Sequence, residues 1–282
     1  MSQAIEIRPL SGALGAEISG VKIGDALSNE AFDTIHRAFN DHGAVFFRDQ
    51  NLSHQAQIDF ARRFGELEQH PIVDGMEDHP EIIKVLKPAG ESASFGTGWH
   101  TDNSFLERPS LGSVLYGVVI PPTGGDTLFA NQYLAYETLS DGMKRMLGNL
   151  TAVHSAGPAF TSETAMEKYR GETAITYTWT DDVHEEVEHP VVRTHPDTGR
   201  KALYVNAMFT QRFAGWTAEE SRPLLDYLYA HGTKPEFCCR FRWQAGSVAL
   251  WDNRCVQHYA IDDYRDHERL MYGVTIRGER PH

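Results

Sequence analysis

A mainly β chain with flanking helices, arranged as an antiparallel sandwich or jelly roll, is what the sequence predicts. Three observations carry that reading. Short apolar runs bounded by Gly, Pro and Asp turns fill the middle and C-terminal parts of the chain; helical signals stand mainly outside them; and strands and helices do not alternate as a βαβ sheet requires.

Taken in order, Ser28 as N-cap, Phe32, Ile35 and Phe39 at helical spacing and Gly43 beyond them predict a first helix, and Ala44–Phe47 a strand. A second helix starts at Ser53, with Ile58, Ala61 and Phe64 inward and Gly65 as its stop. A third starts at Thr217, where Glu220 completes a capping box ahead of Leu224, Leu225 and Leu228. Strands are predicted over 111–120, 126–129, 203–206, 237–243, 247–251 and 270–276. The stretch 157–188 is polar and weakly periodic, which predicts an active-site lid or an excursion from the core.

No repeat, low-complexity tract or Pro/Ser-rich linker divides the 282 residues, so one domain over 1–282 is expected. With 41% hydrophobic and 23% charged residues the chain can bury a sizeable core, which excludes disorder. A formal net charge of −13 argues against nucleic acid and anionic membranes as partners and for a small-molecule substrate. No window approaches the roughly 18 apolar residues of a membrane span, and Met1 to Ile7 show no basic segment leading into an apolar run. Three cysteines, two of them adjacent, make no disulfide framework. A reducing, cytoplasmic location is the expectation. The 14 histidines raise the question of metal binding or acid–base work.

His100-Thr101-Asp102 is the most informative tripeptide. Ligand-type residues at i and i+2 project to the same side of an extended chain but point roughly 200° apart on a helix, so this pair is a chelate only in a strand or strand-like loop. A distant histidine, His258 in Leu250-Trp251-Asp252-Asn253-Arg254-Cys255-Val256-Gln257-His258, can complete two imidazoles and one carboxylate, the facial triad of non-haem Fe(II) oxygenases. Such a triad leaves positions for a 2-oxo acid and dioxygen. Arg269, at the start of an apolar strand, offers the planar, permanently charged partner that a buried carboxylate needs.

Trp99-His100-Thr101-Asp102, Gly124-Gly125-Asp126-Thr127-Leu128, the run from His195 to Asn206 and Trp251-Asp252-Asn253-Arg254 through His258 together resemble the taurine dioxygenase (TauD/TfdA) family of Fe(II)/2-oxoglutarate enzymes. The likeness extends from Ile7-Arg8-Pro9-Leu10 and Leu14-Gly15-Ala16-Glu17-Ile18 to Arg280-Pro281. It implies a double-stranded β-helix (jelly roll), iron ligands His100, Asp102 and His258, and Thr127 and Arg269 on the 2-oxoglutarate carboxylate. It further implies O2 as co-reactant, oxidative decarboxylation of 2-oxoglutarate to succinate and CO2, hydroxylation of a C–H bond, and a homo-oligomer as a possible assembly. The same centre can carry desaturation or ring closure. A catalytically silent small-acid-binding protein is the rival from another class, and it has no need for all five of these residues.

The sequence departs from the family at the substrate end. The resemblance places His70 where a histidine holds the sulfonate of taurine, but the arginine expected four positions after Arg269 is Gly273. Losing such a charge-assisted contact costs about 2 to 3 kcal/mol, so taurine is not the expected substrate, and aryloxyalkanoate enzymes share that arginine too. Val73 and Gly96 stand where a tyrosine and an asparagine are expected. These changes are read as enlarging the pocket and lowering its positive charge. Phe209, Asn103 and Tyr272 are expected to add aromatic and polar contacts, and Arg277 or Arg280 to be candidates for the missing charge, Arg277 only in a strand without a bulge.

Other signals have plain readings. His184 and His189 are spaced i and i+5, not the i and i+4 of a zinc-protease helix, and read as surface residues. His154, His195, His231 and His267 read as hydrogen-bonded or exposed. Gly124-Gly125 is a turn without a phosphate-loop pattern, no Gly-x-Ser-x-Gly elbow exists, and Cys255 is too soft a ligand for an oxygen-activating site.

Overall fold

Ala44-Val45-Phe46-Phe47 is apolar at every position, so a strand made of it must be covered on both faces. The computed structural model of the protein, which describes residues 4–91, 95–161, 175, 177 and 184–282, puts helices on one side and a second sheet on the other.

Among the described residues the larger sheet has nine strands: β1 (Glu6–Pro9), β2 (Ala16–Ser19), β3 (Ala44–Phe47), β4 (Leu67–Glu68), β5 (Gly75–Met76), β6 (His79–Lys87), β7 (Ser110–Val119), β15 (Val248–Asp252) and β17 (Arg269–Arg277). Their order is β1-β2-β3-β15-β7-β17-β6-β5, with β4 paired to β17; β2 and β3 are parallel and the other pairs antiparallel. The facing sheet is β14 (Cys238–Phe241), β8 (Thr127–Asn131) and β16 (Val256–Ala260), with β8 central. Period-two alternation sorts the side chains. Val45, Phe47, Val248, Leu250, Val274 and Ile276 pack under the helices α1 (Asn29–His42) and α2 (His54–Arg62), while Phe46, Ala249, Trp251 and Met271 meet Phe129 and Phe241 of the facing sheet. This is the jelly-roll arrangement, two mainly antiparallel sheets packed face to face.

A further layer joins α3 (Gln132–Glu137), α4 (Asp141–Leu147) and α6 (Ala218–Gly232) to the small sheets β10 (Val187–Pro190)-β9 (Thr151–His154)-β13 (Thr210–Phe213) and β11 (Val192–Thr194)-β12 (Lys201–Leu203), around Leu147, Phe213, Leu225 and Leu228. A short helix, α5 (Gly157–Thr161), brings Phe160 against Phe105 and Phe209. No helix among the described residues is long and apolar enough to cross a membrane.

The helix starts follow their caps: Ser28, Ser53 and Thr217 each accept a backbone N–H of the first turn, and Glu220 closes the capping box. The second helix ends at Arg62, short of Gly65, because Arg63 and Phe64 donate to carbonyls three residues back, a tightened last turn. The strand expected over 203–206 lies at Lys201–Leu203. His189, expected at the surface, is buried: β10 turns it inward onto the rings of His154 and Tyr204, and its Nε2 reaches the Leu106 carbonyl at 3.0 Å. Most of the expected excursion over 157–188 lies outside the described residues.

Candidate metal centre

His100 and His258 are far apart in sequence but exchange both backbone hydrogen bonds, His100 N–H to His258 O at 3.1 Å and His258 N–H to His100 O at 2.9 Å. That isolated bridge makes the His100 segment strand-like, as a His-x-Asp chelate requires. The imidazole centres stand 4.1 Å apart, and Asp102 Oδ1 lies 3.5 Å from His100 Nε2 and 3.6 Å from His258 Nε2. Two nitrogens and one oxygen so placed could hold a metal ion.

The electrostatics suit a cation. His100 Nδ1 sits 2.8 Å from the Gly98 carbonyl, which fixes the proton there and leaves Nε2 as a free lone pair. Burial and the neighbouring His100 push His258 down to about 3, so it is a neutral ligand at ordinary pH. Burial alone would raise Asp102; the imidazoles of His258 and His100 and the Ser113 hydroxyl outweigh it and hold the carboxyl well below its usual range. Trp251 packs its ring 4.7 Å from that of His258.

The three groups line a cavity between the sheets, shared with Thr127, Arg269 and His70. Thr127 opens β8, where its Oγ1 accepts from Trp243 Nε1 at 2.9 Å. Arg269 opens β17 between the rings of Tyr264 and Trp243; it is buried, and its Nε has no acceptor. Asp126 is engaged by Arg240 at 2.6 Å. A buried guanidinium N–H lacking an acceptor fits an incoming carboxylate.

His70 Nδ1 accepts from the backbone N–H groups of Ile72 and Val73, so its proton sits on Nε2, and burial lowers it to about 4. It offers a hydrogen bond without a charge. Ile83, Val85, Phe95, Leu115 and Ala260 form the apolar wall.

Several residues expected at the substrate end lie elsewhere. Tyr272 does not line the cavity: alternation along β17 sends it to the helix-covered face, where its ring meets His54 at 4.6 Å. Asn103 takes a left-handed backbone (φ 53°), and its amide donates to Ser110 Oγ at 3.0 Å; Phe209 lies behind His100, edge-on at 6.2 Å, and neither lines the cavity. Nor does Gly273 enlarge the pocket, because a Cβ there would meet Ile83 Cγ1 at 3.0 Å: the space is filled by an aliphatic side chain. Arg277 follows a register shift and pairs with Glu66, and Arg280 pairs with Glu107; both are exposed, outside the cavity.

Sequence reasoning gave no role to Ser113, Asn253 or Ile83. Asn253 stands inside the quoted Trp-Asp-Asn-Arg run and could have been singled out; Ser113 and Ile83 carry no signal, since they act through neighbours from other strands. A second group, His195, Asp252 and Cys255, also brings ligand-type atoms together. Arg254 forks both oxygens of Asp252 and His195 Nε2 takes one at 2.9 Å, so the carboxylate is used up holding the β15–β16 turn.

Comparison with known proteins agrees with this geometry. The profile of the taurine catabolism dioxygenase TauD, TfdA family matches residues 6–275. An alpha-ketoglutarate-dependent sulfate ester dioxygenase of Pseudomonas putida is 37% identical over 98% of this chain and 91% of its own. An alkylsulfatase of Acinetobacter baylyi is 36% identical over 99% and 86%. The crystal structure of a taurine dioxygenase from Burkholderia xenovorans superposes with a TM-score of 0.82 at 37% identity, covering 98% of this chain and 92% of that one.

Proposed function

The chain belongs to the taurine catabolism dioxygenase TauD, TfdA family and is an Fe(II)- and 2-oxoglutarate-dependent dioxygenase, and from that membership we propose which residues do the work and what kind of substrate they admit. His100, Asp102 and His258 hold the iron; Thr127 and Arg269 receive the distal carboxylate of 2-oxoglutarate. The observation that carries this is one cavity joining the His–Asp–His group to a buried guanidinium N–H without an acceptor. When bound, iron, 2-oxoglutarate and O2 supply the oxidation: the 2-oxo acid leaves as succinate and CO2, and a substrate C–H bond gains a hydroxyl. The chain's own part is to fix the metal, anchor the cosubstrate and aim the C–H bond. Trp251 and the aliphatic wall keep water away from the reacting centre.

The substrate is a small molecule with an apolar body along Ile83, Val85 and Leu115 and a polar end toward His70 Nε2–H. Arg269 is the one Arg or Lys lining the cavity among the described residues, and in this proposal the cosubstrate consumes it. Taurine, short, zwitterionic and without an apolar body, is a poor match. The two named relatives put alkyl sulfates first in a screen that follows 2-oxoglutarate consumption and also includes aryloxy acids, sulfonates and taurine. Turnover rising with apolar chain length, with taurine poorest, is the expected outcome; taurine as good as the longer substrates overturns it. The same proposal takes the chain as one catalytic domain in the cytoplasm, its three cysteines free, with no nucleic-acid or membrane partner.

A further inference from the structure

A carboxylate can bind a metal through one oxygen or through both, and the choice alters how many positions remain for small molecules. The surroundings of Asp102 bear on that choice. Its Oδ2 accepts from Ser113 Oγ at 2.7 Å and from Asn253 Nδ2 at 3.2 Å, which fills both lone-pair directions of that oxygen. Its Oδ1 stands between the two imidazole Nε2 atoms.

Asn253 has a use for every polar atom. Its Oδ1 accepts from Trp251 Nε1 at 3.1 Å and from the Asp102 backbone N–H at 3.3 Å; its Nδ2 reaches Ser113 Oγ at 3.3 Å as well as Asp102. Two N–H groups facing Oδ1 fix which way round the amide lies. Ser113 and Asn253 are themselves buried, from β7 and from the turn after β15. The closed triangle of Ser113, Asn253 and Asp102 therefore ties the His100–Asp102 segment to β7 and to the turn that leads into the strand of His258.

We propose that Asn253 and Ser113 are positioning residues that hold Asp102 Oδ2 on the protein, so that the carboxylate presents Oδ1 alone to the metal. This rests on the reading of Asp102 as a ligand. Partners of metal ligands at this remove commonly govern affinity by 10- to 100-fold, on the order seen when such hydrogen bonds are removed.

The test is Co(II) titration of the metal-free full chain by calorimetry, with the visible Co(II) spectrum and the thermal midpoint of the metal-free protein recorded beside it. Ser113→Ala removes one atom from a paired strand and should weaken Co(II) by roughly tenfold or more and alter its spectrum, with the metal-free midpoint unchanged. Ser113→Thr, which keeps the hydroxyl, should bind within about twofold of the parent, and Asn253→Ala should weaken binding like Ser113→Ala. Should Asn253→Ala fail to fold, the serine pair decides alone. Parent-like affinity and spectrum in Ser113→Ala, with Asp102→Ala losing Co(II), overturn the proposal and leave the ligand reading standing. If Asp102→Ala also binds like the parent, the ligand reading fails and the proposal falls with it.

Discussion

Arg269 shows at the scale of one side chain why a carboxylate is proposed there. Burial lowers its hold on the proton, opposed by Tyr264 and Asp126, yet Asp126 already serves Arg240. A guanidinium in that position is stable when a carboxylate faces it, and its planar fork can make two parallel bonds. Arg269→Lys keeps the charge and loses the fork. The Michaelis constant for 2-oxoglutarate should rise more than tenfold, about 1.4 kcal/mol. An unchanged constant would show that Arg269 does not hold the carboxylate.

At the scale of elements, one wall of the proposed substrate pocket is shared by three strands. Gly273 on β17 faces Ile83 on β6 and Leu115 on β7, so the expected arginine is missing and its volume is filled from the adjacent strands. Gly273→Arg alone must displace Ile83 and should gain little. Gly273→Arg with Ile83→Ala makes the room, and a charge-assisted contact of about 2 kcal/mol should then appear as roughly 30-fold tighter binding of a small alkyl sulfonate by calorimetry. Equal binding by the double variant and the parent would show that a cation at 273 does not face the ligand. This packing was illegible in sequence, because a glycine's emptiness is defined by what its neighbours in other strands send toward it. By contrast Ser28, Ser53 and Thr217 announced their helices through local chemistry, and His100 and Asp102 stood out as an i, i+2 chelate, whereas joining His258 to them rested on the family resemblance. The strand carrying His258, Val256–Ala260, gave no signal of its own: it is short and buried on both faces at its start, so alternation is lost. Tyr272 was expected in the pocket for its nearness in sequence to Gly273, and period-two alternation from Arg269 turns it away.

Across the whole molecule, several histidines are sealed in neutral form, and that sets the response to acid. Burial lowers His189 to about 4, assisted by Arg193 and opposed by the Leu106 carbonyl; His70 is also lowered to about 4, and His154 stands well below its ordinary value through burial and its neighbour His189. In the unfolded chain each takes up a proton near 6.5, which the folded protein refuses until about pH 4 at His189 and His70. Below 6.5 the unfolded state therefore binds more protons, so this stabilisation is complete above 6.5 and is lost as pH falls toward 4; for His189 alone the loss reaches about 3 kcal/mol. Asp252, held low by Arg254 and His195 against its burial, stays ionised through this window and adds no slope there. The strain falls close to the metal centre, since His154 Nδ1 meets Ser104 Oγ at 3.2 Å, two residues beyond Asp102, and Asn206 Nδ2 donates to the same hydroxyl. The unfolding free energy from urea titrations should fall between pH 7 and pH 5, by about 2 kcal/mol from His189. His189→Gln, which costs stability at pH 7 where the Leu106 contact is weakened, should flatten the slope. Parallel pH profiles for parent and variant would show that His189 takes no part in the acid response.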